Sequence, residues 1–85
     1  VKAIVHAHSP FATALACVHR EIPPFHYMVA VTGAERVPVA KYATFGTEAL
    51  AKNVVDALGA GFACLLANHG AIAAGRSLEH AYRIA

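Results

Sequence analysis

Tryptophan is absent from these 85 residues, cysteine occurs only twice, and only 14% of the positions carry a charged side chain. Each scarcity excludes something. Two cysteines cannot staple a small secreted scaffold, and Cys17 and Cys64 both lie inside apolar periodic stretches (LACV and FACLLA), so they read as buried, reduced thiols of a cytoplasmic protein. The seven Lys and Arg are scattered and leave a net charge of +2. No basic stripe with interleaved aromatics results, which argues against nucleic acid as a partner. FACLLA, the clearest uninterrupted apolar run, is far too short to span a bilayer, so no membrane partner is expected. A basic start, an apolar stretch and a small-residue cleavage site are also missing, so no secretory signal is read. The chain begins with Val rather than Met and enters an apolar strand at once, which reads as an incomplete domain.

What is present is apolar: 58% of the residues are hydrophobic, which excludes disorder, and the length suits one domain and no more. Lys2 to Ala7 (KAIVHA) reads as a strand. Ser9-Pro10 then opens a helix, with Ser9 as N-cap, Pro10 at the first helical position, and an apolar series Phe11, Ala14, Leu15, Val18 ending near Arg20. Ile22-Pro23-Pro24 breaks the chain. Tyr27 to Val31 is expected to form a short strand, and Arg36 to Tyr42 an edge strand or irregular extended segment because of Pro38. Thr47 and Glu48 start the best-defined helix, in which Leu50, Val54 and Leu58 recur every four residues and Gly59 is the stop. Phe62 to Ala67 reads as a strand buried on both faces; Asn68-His69-Gly70 interrupts it, Ala71 to Ala74 resumes it, and Ser77 opens a last helix. Alternating strands and helices give an α/β layered class.

Six histidines are the unusual feature. His6 and His8, in VHAHSP, form a pair that random placement would produce about 0.4 times in such a chain, so the motif alone is weak. Its position strengthens it. Residues i and i+2 of a strand face one side about 6.6 Å apart, close enough for both imidazoles to reach one ion, and a strand end before a helix is where α/β proteins place their sites. His69 is the candidate third ligand. It follows a buried strand, where a polar residue needs a partner, and it precedes Gly70, which would let the backbone turn sharply. Three neutral histidines with an open position are the pattern of a catalytic zinc site; three hydrogen-bonded histidines at strand ends are the alternative. His19 reads as a polar group suited to a helix C-terminus and His80 as a surface residue. His26-Tyr27 is either a proton-handling pair or packing.

Taken together, HAHSP, IPPFHYMVA, YATFGTEAL and LLANHG resemble the class II aldolase/adducin family, and within it the L-fuculose-phosphate aldolase branch, over essentially the whole chain and in the family's order. The resemblance implies a layered α/β/α domain around a mixed or antiparallel sheet. It also implies a divalent metal, usually zinc (Zn2+), held by His6, His8 and His69. The implied reaction is aldol cleavage of a ketose 1-phosphate such as L-fuculose 1-phosphate, in which the metal stabilises the enediolate of dihydroxyacetone phosphate without a lysine Schiff base. Tyr27 maps onto a tyrosine that acts from a neighbouring subunit, and Phe45 onto an active-site phenylalanine, within a homotetramer whose sites lie between subunits.

The departures from that pattern are equally definite. The family's acid/base Glu and most of its phosphate-binding loops lie upstream of H-x-H, and Glu21, Glu35, Glu48 and Glu79 are not in the matching place. The 85 residues are therefore expected to be one partial domain, the metal-holding part of a larger one, inactive and poorly soluble alone. A sugar-phosphate 4-epimerase, dehydratase or decarboxylase of the same family would keep the three histidines. An adducin-like scaffold, or a small histidine-rich module without catalysis, are the non-enzyme alternatives.

Overall fold

A run of apolar residues that ends in histidines forms the first strand of the computed structural model, which describes all 85 residues. The elements follow in the order β1 (Ala3–Ala7), α1 (Pro10–Cys17), a 3₁₀ helix (Tyr27–Thr32), β2 (Val39–Ala40), α2 (Glu48–Leu58), β3 (Ala63–Leu66), β4 (Gly70–Gly75) and α3 (Leu78–Ile84). The four strands make one sheet in the order β1-β4-β3-β2. β4 is antiparallel to both β1 and β3, while β2 runs parallel to β3, so the sheet is mixed, as expected.

The alternation of β3 explains how the layers form. Leu65 and Ala63 face α1 and share a cluster with Ala12, Leu15, Ala16, Val29, Val37 and Ala71. Cys64 and Leu66 face the other way, against Val54, Ala57 and Leu58 of α2. β3 is thus buried on both sides, and burial pushes the Cys64 thiol up to about 11, which keeps it neutral. α3 packs across β4 and β1 so closely that a side chain on Gly75 would meet the Ala81 backbone. Its Ile84 lines an apolar cavity of about 230 Å³ with Val5, Leu65 and Ala73, on the α1 side of the sheet. On the opposite face α2 covers only the β2–β3 half. The remaining half, with Ile4, His6, Ile72 and Ala74, forms one wall of an apolar groove of about 990 Å³ whose other wall is Leu50, Val54 and Val55.

The helix starts follow the sequence. The Thr47 hydroxyl accepts a hydrogen bond from the Leu50 N–H, Ser77 does the same for His80, and Pro10 occupies the first turn of α1, although the Ser9 hydroxyl makes no capping bond. Five expectations need correction. Tyr27 to Val31 is a 3₁₀ helix rather than a strand: the His26 Nδ1 accepts the Met28 N–H and Gly33, at φ +77°, closes the segment. Cys17 is exposed, because Ala12, Leu15 and Ala16 are the side chains of α1 that face the core. α1 stops at Cys17, short of Arg20. Ala71 to Ala74 does not continue β3 but returns beside it, antiparallel, after a three-residue turn. His80, read as a surface residue, is half-buried, with its ring edge-on to Phe62. No helix is long and apolar enough to cross a membrane.

Candidate metal centre

Three elements deliver the three imidazoles to one point. His6 is paired in β1 opposite Ile72, His8 stands one residue beyond the strand, and His69 closes the β3–β4 turn with its N–H on the Leu66 carbonyl. Their ring centroids lie 4.7, 4.8 and 4.9 Å apart. One potential ligand nitrogen from each lies within 4.8 Å of the others, and the Nε2 atoms of His6 and His8 are 3.0 Å apart. Ligands on one tetrahedral ion with bonds of about 2.0–2.1 Å sit about 3.3 Å from each other, so small ring rotations bring the set onto an ion.

The surroundings favour the ligand form of His6 and His69. The His6 Nδ1–H donates to the Ala71 carbonyl at 2.9 Å, which leaves the Nε2 lone pair facing His8. Those two Nε2 atoms, with a nitrogen of His69, would hold the ion. Burial, and then the neighbouring His6 and His8, hold the His69 pKa below its ordinary value, so this ring stays neutral where a metal needs it neutral. His6 and His8 are exposed and His69 is half-buried, at the end of the apolar groove, so one side of the cluster is open to a further ligand. The donor set, three imidazole nitrogens with an open side, fits a catalytic divalent ion such as zinc.

Two neighbours explain the sequence around His69. Asn68 has φ +59°, the left-handed conformation that asparagine tolerates, and so makes the turn. Gly70 does not. Its φ is ordinary, and it is required for room: a Cβ there would lie 2.5 Å from the Ala7 carbonyl oxygen and 2.7 Å from Cδ2 of His8. The expectation that Gly70 supplies the sharp turn is corrected in that way. A polar, left-handed-tolerant residue immediately before His69 was the signal available in the sequence.

Phe45 is brought to the site: it is exposed and lines the same groove as His6, His8 and His69. Tyr27 is not. It is 79% exposed and stacks at 4.4 Å on His26, in a shallow depression with Pro24 and Phe25 that is separate from the groove. No carboxylate joins the cluster; Glu21 is held by Arg36 at 2.5 Å, and Glu48 and Glu79 sit in the first turns of α2 and α3.

Known proteins share this fold. The profile of the Class II Aldolase and Adducin N-terminal domain family matches residues 1–85. The chain is 51% identical over 85 residues to a 5-methylthioribulose-1-phosphate/5-deoxyribulose-1-phosphate aldolase of Rhodospirillum rubrum, covering all of this chain and 38% of that protein. It is 45% identical over 83 residues to an L-fuculose phosphate aldolase of Escherichia coli, covering 98% and 39% respectively. A solved L-fuculose 1-phosphate aldolase superposes with a TM-score of 0.92 at 47% identity, over 95% of this chain and 38% of that one. The chain therefore spans about two-fifths of the length of the curated relatives it matches.

Proposed function

The chain belongs to the class II aldolase and adducin N-terminal domain family, and on that premise we propose that it is the metal-holding part of a zinc-dependent aldehyde-lyase. The proposed reaction is the cleavage of a ketose 1-phosphate such as L-fuculose 1-phosphate into dihydroxyacetone phosphate and an aldehyde. The observation that carries this reading is the convergence of His6, His8 and His69 on one point with an open side. In the reaction the C3–C4 bond breaks, the C4 hydroxyl loses its proton as the aldehyde forms, and the electron pair left on C3 spreads onto the C2 carbonyl oxygen until C3 is protonated. A zinc ion supplies a Lewis acid where that negative charge develops.

The residues of this chain set the conditions for the step. His6, oriented by the Ala71 carbonyl, and His69, kept neutral by burial and by its two neighbours, present lone pairs rather than protons. Phe45 forms an apolar wall at the mouth of the groove and contacts substrate there. Tyr27, displayed away from its own histidines, acts at the site of a neighbouring subunit in a cytoplasmic homotetramer; its exposure supports that role, and the two free thiols support a reducing compartment. The proton at C4 and the phosphate are handled by residues outside these 85, including an acid/base Glu.

A second substrate class has its own support. The 51% match is to an enzyme named for 5-methylthio- and 5-deoxyribulose 1-phosphates, whose fifth carbon is apolar, and the groove beside the histidines is lined by Ile4, Leu50, Val54 and Ile72. The deciding experiment assays the full-length protein, after metal analysis, for dihydroxyacetone phosphate release from both substrates. Release from L-fuculose 1-phosphate establishes the first class, and release from 5-deoxyribulose 1-phosphate alone selects the second. Bound zinc with no release from either turns the assignment to an epimerase, dehydratase or decarboxylase. No stoichiometric metal at all leaves the adducin-like scaffold.

A further inference from the structure

Only two residues other than glycine have positive φ, His19 at +54° and Asn68 at +59°, and they are hydrogen-bonded to each other, His19 Nε2 to Asn68 Oδ1 at 3.1 Å. Such conformations are disfavoured for residues with a Cβ and persist where the side chain is needed. His19 occupies the position after α1 where glycine is usual. Its N–H bonds the Ala16 carbonyl at 3.2 Å and the Arg20 N–H bonds the Leu15 carbonyl at 3.0 Å, the two bonds of a Schellman ending. Glycine would fill that backbone position without strain, but it could not reach Asn68. The same helix end holds the turn a second time, because the Asn68 N–H also donates to the Ala16 carbonyl, at 3.1 Å.

α1 is therefore attached to the histidine cluster at both ends. Its first residue, Pro10, is two positions after His8, and its last turn grips the residue immediately before His69.

We propose that His19 is a positioning residue: through its bond to Asn68 it fixes the β3–β4 turn, and hence His69, relative to the His6–His8 pair. The proposal rests on the reading that the three histidines hold a metal ion. His19 touches neither metal nor substrate. It acts one step further out, with Nε2–H as donor to the Asn68 amide oxygen; groups bonded directly to metal ligands typically change metal binding by about 10–100-fold, and a group one residue removed is expected at the lower end of that range.

The test uses the full-length protein with zinc or cobalt(II) alone as probe, and reads dissociation constants by chelator competition, the visible spectrum of the cobalt form, and the melting temperature of the metal-free form. His19→Gly removes the side chain and relieves the backbone strain. It should raise the zinc dissociation constant about tenfold and alter the cobalt spectrum, while the metal-free melting temperature stays level or rises. Asn68→Gly should do the same, and the double variant should be no worse than either single one, since both remove one bond. His19→Gln, whose amide can still donate to Asn68, should restore most of the affinity. Zinc affinity and cobalt spectrum within twofold of wild type in His19→Gly, or additive effects of the two glycine variants, would overturn the proposal while leaving the metal site standing. A wild-type protein that binds no stoichiometric zinc overturns both readings.

Discussion

On the side of the sheet that carries α1, the side chains of Ala16, Val29, Val37 and Leu65 are buried together, whereas on the α2 side Ile4 and Val55 stand 58% and 68% exposed along an open groove. The two faces share the same strands, so the difference lies in what covers them. The covered face concentrates apolar contact and fixes where β1 and the β3–β4 turn lie. The open face receives the result, three histidines at the end of a groove wide enough for a ligand. The α1 side is thus given to packing, while the α2 side divides between a packed β2–β3 half around Cys64 and Leu66 and an open half that ends in the histidines, and substitutions in the packed and open regions should separate accordingly.

The largest separation is expected at the cluster itself. His69→Ala in the full-length protein should abolish stoichiometric metal binding and reduce the proposed aldol cleavage by more than the roughly 100-fold that marks the upper range for an outer partner, while the metal-free protein melts nearly as before. Elemental analysis and calorimetry check this together; a large drop in metal-free stability would break the separation. Next, Leu65→Ala should lower the unfolding free energy by about 2–5 kcal/mol in a urea titration, with one metal still bound per folded molecule. Gly70→Ala tests the join between the two sides. Its Cβ would press on the Ala7 carbonyl and the His8 ring, so it should cost about 1–3 kcal/mol through overcrowding and weaken metal binding as well.

The smallest effect concerns pH. Because the pKa of His69 is lower in the folded chain than its ordinary value, the unfolded chain takes up that proton first. Metal-free protein should therefore keep this contribution above about pH 6.5 and lose it as the pH falls further, a shift that should vanish in His69→Gln. Chemical denaturation at several pH values would show it.

Much of this arrangement was legible from residue types. The Thr47 cap, the Leu50–Val54–Leu58 stripe and the two-sided burial of Cys64 to Leu66 follow from side-chain periods that tertiary packing reinforced. His6 and His8 share a strand end, and His69 joins them, for reasons of spacing and polarity visible in VHAHSP and LLANHG. The misreadings have local causes. Tyr27 to Val31 has the composition of a strand, but its conformation is decided by the His26 ring bonding Met28 and by Gly33, neither of which leaves a periodic trace. Gly70 was credited with a turn that Asn68 makes, because a sequence shows that a small residue is needed without showing whether rotation or space is the reason. The His19–Asn68 bond joins positions 49 residues apart, and nothing short-range announces it.

The histidines that meet at the end of β1 are also far apart along the chain, since His69 follows His8 by 61 positions. An ion held by both would be a cross-link that closes most of these 85 residues into one loop. In the chain-entropy account, tying together ends separated by about 60 residues removes roughly 4 kcal/mol of freedom from the unfolded ensemble. Zinc loading would act as a reversible staple between the end of β1 and the β3–β4 turn.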